Sequence, residues 1–182
     1  MEDEINPIKE YLFDYIKNSE SIPKLIAEKK FDQIIEEITN NCYEKILTMG
    51  EKNESVGVLA TGILHYLLTN ALITSQRKVE HDGIELDIVI PDVKTLEKDP
   101  KKTLLICIPK SSDITEINKK IEQIENIQSE KENIWLVLSE EIPIVKKSFI
   151  LSKNNNTFSK IIFEIAKFSN VGGTNKFKIL RI

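Results

Sequence analysis

The sequence predicts an α/β fold, a mixed α+β sheet built in the order αβββαβ behind a helical N-terminal extension. Three observations predict it. Apolar residues recur at helical spacing through residue 70, the period shortens toward two after residue 73, and from residue 103 short apolar runs of strand length alternate with a helical stripe.

Ile5, Ile8, Leu12, Tyr15 and Ile16 lie on one helical stripe, and Phe31, Ile34, Ile35, Ile38, Cys42 and Ile46 form another after the break at Ser21-Ile22-Pro23. Residues 1–50 are therefore expected to form the helical extension, and 51–182 the α/β core with a basic C-terminal segment. Gly50 is expected to stop the second long helix and Asn53 to cap the next, whose stripe is Val56, Leu59, Ile63, Leu67 and Asn70. In that helix Gly57, Ala60 and Gly62 permit close approach to a sheet, at some cost in helicity.

Ile73 to His81 then reads as a strand, Asp82-Gly83 as a tight turn, and Ile84 to Ile90 as the returning strand, ended by Pro91. A polar connection from Asp92 to Lys102 leads to Thr103 to Ile108, an apolar run suited to a buried central strand that completes an antiparallel meander. Ile114, Ile117, Ile121, Ile124 and Ile127 make a helix capped by Ser112 or Asp113, and Ile134 to Leu138 is a buried strand. Beyond it the pattern predicts a strand within Ile142 to Leu151, a helix from Phe158 to Phe168, a turn at Gly172-Gly173 and a last strand from Phe177 to Ile182.

At 182 residues, 41% hydrophobic and 30% charged, the chain is long enough for one substantial core. Glu2, Asp3 and Glu4 stand where a secretory leader needs basic residues, and no apolar run approaches the roughly 18 residues of a membrane span, so a cytoplasmic protein with no membrane partner is expected. Cys42 and Cys107 each sit in an apolar periodic segment and are expected to be buried free thiols. Two histidines do not provide the spacing of a Cys/His zinc site.

The net charge of -4 is unevenly spread: residues 1–56 carry -6, residues 57–143 carry -5, and residues 144–182 carry +7. Lys146, Lys147, Lys153, Lys160, Lys176, Lys178 and Arg181 make this basic segment a candidate footprint for nucleic-acid phosphates; the alternative is docking on the acidic remainder of the fold or on a partner.

An aspartate late on the second strand, Asp87 in Gly83-Ile84-Glu85-Leu86-Asp87, and a lysine at the end of the third, Lys110, complete a pattern that resembles the PD-(D/E)XK nuclease superfamily over residues 54–139. The resemblance implies a restriction-endonuclease-like core in which Asp87 holds Mg²⁺ or Mn²⁺, and strand alternation, which puts Glu85 on the same face, makes it the candidate second ligand. The resemblance also implies that Lys110 assists at the scissile phosphate and that Glu54 matches the extra glutamate some members use. Hard carboxylate oxygens suit such an ion, which polarises the phosphate and lowers the pKa of its water. The chain departs from the pattern at Ile108, where the second acid belongs, and Pro109 removes a backbone donor, which marks a strand end or bulge. Some members recruit that acid from the following helix, where Glu116 and Glu122 are the candidates.

Each of these residues also has a plainer reading. Glu85 and Asp87 share a strand face and suit a solvated sheet surface; Glu54 suits the first turn of a helix for its dipole alone; Lys110 suits a solvated strand end. His81 reads as a turn residue, His65 has no sequence partner to make it a base, and Trp135 belongs to a buried strand. No nucleophile elbow, phosphate loop or dinucleotide fingerprint is present.

Three functions follow as expectations. The first is a nuclease-like fold, catalytically degenerate, kept as a nucleic-acid-binding or complex-forming module. The second is an active Mg²⁺- or Mn²⁺-dependent endonuclease with a relocated carboxylate. The third is an interaction subunit without nucleic-acid contact that meets a protein partner through its acidic helical N-terminus; separately, the resemblance implies that a homodimer is possible.

Overall fold

The computed structural model describes residues 5–171. The N-terminal stretch forms three helices, α1 (Pro7–Asn18), α2 (Ile22–Ala27) and α3 (Phe31–Leu47). Helix α1 begins where the Asn6 side chain accepts the N–H groups of Ile8 and Lys9, with Pro7 in the first turn, where a missing N–H costs no hydrogen bond. Helix α3 ends at Leu47, ahead of Gly50. Helix α4 (Lys52–Asn70) is capped by Glu51, whose carboxylate accepts the N–H of Glu54. Asn53, expected as that cap, instead lies inside the first turn, and its side chain reaches two distant loops.

Helix α4 is the buried axis of the molecule, with Val56, Leu59, Ala60, Ile63, Leu64, Leu67 and Leu68 all shielded. Its small residues face two ways. Gly57 lies under Ile108 at the sheet, whereas Gly62 lies against Leu12 of α1, where a Cβ would come within 2.7 Å of the leucine Cδ2.

Five strands, β1 (Gln76–His81), β2 (Ile84–Ile90), β3 (Leu104–Cys107), β4 (Ile134–Leu138) and β5 (Ser148–Ile150), form one sheet in that order. The first two pairings are antiparallel and the last two parallel, so the mixed sheet and the αβββαβ order stand as the sequence predicts. Asp82 and Gly83 turn the first hairpin with φ of 51° and 74°, the pair of left-handed residues that a two-residue turn needs to match strand twist. This turn fixes the register, with His81 opposite Ile84.

Strand β1 starts at Gln76, later than the apolar pattern suggests, because Ile73 is buried beside the end of α4, where Leu72 turns the chain at φ 57°. The polar connection after Pro91 contains helix α5 (Val93–Lys98), begun by the Asp92 carboxylate, which accepts the N–H and hydroxyl of Thr95, and a 3₁₀ turn at Pro100–Lys102. Helix α6 (Ile114–Glu125) is capped by Asp113. Only Ser148–Ile150 of the Ile142 to Leu151 stretch is strand. A 3₁₀ turn (Thr157–Lys160) leads into helix α7 (Ile161–Val171). The expected Gly172-Gly173 turn and the strand from Phe177 to Ile182 lie outside the described residues.

The sheet separates two hydrophobic clusters. On one face Ile88, Ile90, Leu104, Ile106, Trp135 and Val137 pack with α1, α3, α4 and α7; on the other Leu86, Val89, Leu105, Leu136 and Leu138 pack with α5 and α6. Each fully buried Leu or Ile contributes roughly 1.5–3 kcal/mol relative to exposure, which makes this two-sided burial the dominant stabilising term. Cys42 and Cys107 are buried free thiols. Among the described residues no helix is long and apolar enough to cross a membrane.

Candidate functional site

Asp87 sits near the middle of β2 with its side chain only 11% exposed and both carboxylate oxygens engaged. Oδ2 accepts the backbone N–H of Ile108 at 2.8 Å, and Oδ1 faces the Lys78 ammonium at 2.6 Å. Lys78 Nζ also lies 3.6 Å from Glu85 Oε1, so one lysine bridges the two acids expected to hold a metal. Burial pushes the Lys78 pKa down, but the hydrogen bond and charge of Asp87, aided by Glu85, outweigh it and hold the lysine above its ordinary value.

The hairpin breaks its alternation at this pair. Leu86 packs into the α5/α6 cluster and Ile88, two residues on, into the α4 cluster, where a regular strand would put both on one face. On the partner strand Lys78 has φ 48°, a left-handed conformation that costs a residue with a Cβ about 1–3 kcal/mol unless its surroundings hold it. Val79 stays opposite Leu86 and Arg77 opposite Ile88, so the register is continuous and the break is matched across both strands. The ion pair joins the two breaking residues.

Two clefts flank Ile108 and Lys110. The first, of about 270 Å³, is lined by Glu85, Asp87, Cys107, Lys110, Glu116 and Lys120. The second, of about 430 Å³, is lined by Lys9, Glu54, Gly57, Arg77, Lys78 and Lys110. The structure thus brings Asp87, Glu85, Lys110 and Glu116 to one cleft, places Glu54 in the neighbouring one, and leaves Glu122 outside both. Lys120 Nζ donates to the Glu85 carbonyl at 2.6 Å and secures α6 against β2. Asn53 Oδ1 accepts the hydroxyls of Ser112 and Ser139, tying the start of α4 to the loops that follow β3 and β4.

The residues do not fit a divalent ion as they stand. Such an ion needs several hard oxygen ligands. Here one Asp87 oxygen meets an ammonium and the other a backbone N–H, Ile108 is apolar and buried, and among the described residues no group of three His, Cys, Asp or Glu is placed to hold a metal.

Two groups of cations bear on a polyanion. In the basic segment Lys146 pairs with Glu125 at 2.8 Å, Lys147 with Glu164 at 2.7 Å, Lys153 with Glu44 at 3.3 Å and Lys160 with Asp32 at 2.8 Å. This part of the segment is thus docked on carboxylates of its own chain; Lys176, Lys178 and Arg181 lie outside the described residues. Lys9, Arg77 and Lys110, by contrast, are exposed at the second cleft and in no ion pair among the described residues. Their field is felt nearby: burial first, then the charges of Arg77 and Lys9, hold the His65 pKa below its ordinary value.

Lys78, Lys9 and Arg77 are functional candidates that the sequence pattern did not single out. For Lys78 the signal was present, since a two-residue turn at Asp82-Gly83 places residue 78 opposite residue 87. Cys107 borders the first cleft, but burial, reinforced by the charge of Asp87, pushes its thiol up to about 12, so it is no nucleophile at neutral pH. Trp135 is 5% exposed and packs on Phe149 and Phe168, with the Lys147 ammonium 4.2 Å from its ring centroid.

No protein-family model and no curated protein matches the chain. Among solved structures it is similar to the restriction endonuclease PspGI in a complex with its substrate DNA, at 15% sequence identity and a TM-score of 0.63, over 92% of this chain and 94% of that one. With the sheet order described above, this likeness establishes the fold as restriction-endonuclease-like.

Proposed function

We propose that this restriction-endonuclease-like fold is a nucleic-acid-binding module whose nuclease centre is degenerate, and that phosphates are met at the cleft lined by Lys9, Arg77 and Lys110. The observation that carries this reading is the convergence on one cleft of three cations in no ion pair among the described residues, while the described lysines Lys146, Lys147 and Lys160 of the basic segment are paired with carboxylates. Cations grouped on a concave surface focus an attractive potential on a polyanion, and each phosphate neutralised releases counterions. The DNA in the PspGI complex supports the ligand class. Lys146, Lys147, Lys153, Lys160, Lys176, Lys178 and Arg181 form a peripheral basic surface in this reading, the first four able to contact phosphate only by leaving their carboxylates.

Ile108 supports the loss of cutting. Its side chain belongs to the α4-facing core, so the position that carries an acid in the resembled family is used here for packing. One observation favours a second reading, an active Mg²⁺- or Mn²⁺-dependent endonuclease: Glu116 borders the same cleft as Asp87 and Lys110 and is the candidate relocated acid. That reading requires Lys78 to leave Asp87.

The test is a binding and cleavage series on duplex, single-stranded and branched DNA and on RNA, in EDTA and in Mn²⁺. The proposal expects binding in EDTA that weakens with salt, with Arg77→Ala and Lys110→Ala each reducing the salt slope by about one, and no cutting in Mn²⁺. Cutting abolished by Asp87→Asn and Glu116→Gln would establish the second reading, and absence of binding to every nucleic acid would sink both.

A further inference from the structure

We infer that the Lys78 ammonium is a tethered replacement for the divalent cation: it occupies the position between Asp87 and Glu85 that a metal ion would need, and its removal opens a metal site there. Three independent features converge on it. The ammonium lies 2.6 Å from Asp87 Oδ1 and 3.6 Å from Glu85 Oε1, so it bridges the two acids as a bound cation would. The Ile108 N–H engages only Oδ2 of Asp87, which leaves Oδ1 as the cation-facing oxygen. Lys78 is held in a left-handed conformation at the one point where both hairpin strands break alternation, so the backbone itself is shaped to deliver this side chain to Asp87.

The exchange is chemically coherent. Mg²⁺ and Mn²⁺ sites of this kind use one or two carboxylates and complete their shell with water, and a lysine ammonium competes for the same oxygens while carrying its own positive charge. A fixed cation does not polarise water into a nucleophile, but it still attracts a phosphate. Under the function proposed above, on which this consequence rests, phosphate contact becomes independent of metal.

The experiment compares wild type, Lys78→Gly, Lys78→Gln and Lys78→Gly/Asp87→Asn. Glycine suits φ 48° and removes the ammonium, and glutamine keeps a long neutral side chain should glycine prove poorly folded. Mn²⁺ binding is read by electron paramagnetic resonance of the free ion, and thermal unfolding is followed with and without Mn²⁺. The single variants are expected to bind Mn²⁺ at least about tenfold more tightly than wild type and to gain thermal stability from it, and the double variant to lose both gains. Mn²⁺ bound equally well by wild type at an Asp87-dependent site, or folded single variants that gain no Mn²⁺ affinity, would overturn the inference. The same proteins are assayed for DNA and RNA binding in EDTA. If none binds nucleic acid, the proposed function fails while the Mn²⁺ titration still decides the role of Lys78.

Discussion

The backbone N–H of Ile108 donates to Asp87 Oδ2 across 2.8 Å, so the residue that lacks the expected acidic side chain supplies its main chain to the acid that is retained. The bond closes the end of β3 onto β2 just beyond the last paired residues of the ladder, Ile88 and Ile106. Asp87 is therefore a structural residue as well as a site candidate.

Asp87→Asn keeps an oxygen for the Ile108 N–H, and Asp87→Ala leaves that donor without its acceptor. Urea denaturation is expected to show Asp87→Ala less stable than Asp87→Asn by about 1–3 kcal/mol, the cost of an unsatisfied, largely buried group. Equal midpoints for the two variants would contradict the assignment.

The two glycines of α4 are expected to respond in opposite ways to alanine. At Gly57 the added Cβ would meet Ile108 Cγ2 at 3.4 Å, an ordinary contact, so the gain in helix propensity remains and stability rises by about 0.5–1 kcal/mol. At Gly62 the Cβ would come within 2.7 Å of Leu12, which is fully buried and must move, so the helical gain is offset by about 1–3 kcal/mol of overpacking. Thermal unfolding of both variants checks the contrast.

Acid should loosen the docking of the basic segment. Hydrogen bonds from Lys146 and Lys131 hold the Glu125 carboxyl below its ordinary value, and those from Lys147 and Lys167 do the same for Glu164. A carboxylate with a lowered folded pKa contributes stability that is fully present above its unfolded value, 4.5, and is lost as pH falls through the lower folded value. Denaturation midpoints are therefore expected to drop below about pH 4.5, and Glu125→Gln/Glu164→Gln should flatten that drop. High salt weakens the more exposed Lys147–Glu164 pair by screening.

Neither thiol should react in the native protein. Burial pushes Cys42 up to about 11, despite a hydrogen bond with Tyr11 that lowers it, and Cys107 up to about 12. Iodoacetamide labelling at pH 8 is expected only on unfolding. Rapid labelling of Cys107 in the folded protein would show that the cleft opens further than the structure allows.

Strands β2 and β4 were legible to the residue because each is an apolar run bounded by a strong signal: the Asp82-Gly83 turn and Pro91 for the first, polar residues on either side for the second. Helix α5 was hidden because six residues hold little periodicity, although Asp92 three residues before Thr95 was a readable cap. Asn53 misled because capping chemistry depends on which residue leaves the helical conformation first, and Glu51 does. Asp87, Glu85 and Lys110 were brought to one cleft, as the strand register implies. The pairing of the basic lysines depends on long-range packing, such as Lys153 with Glu44 and Lys160 with Asp32, which no local pattern encodes.

The two hydrophobic clusters are unequal: among the described residues 33 buried side chains support the α4 face of the sheet and 12 the α6 face. The first cleft has β2 on one side and α6, through Glu116 and Lys120, on the other. Its walls therefore differ in compliance. Helix α6 is held by the smaller cluster, through Ile117, Ile121 and Ile124, whereas the sheet and α4 are clamped by most of the molecule. Any displacement that widens this cleft is therefore expected on the α6 side, with the Lys78–Asp87 pair staying with the sheet.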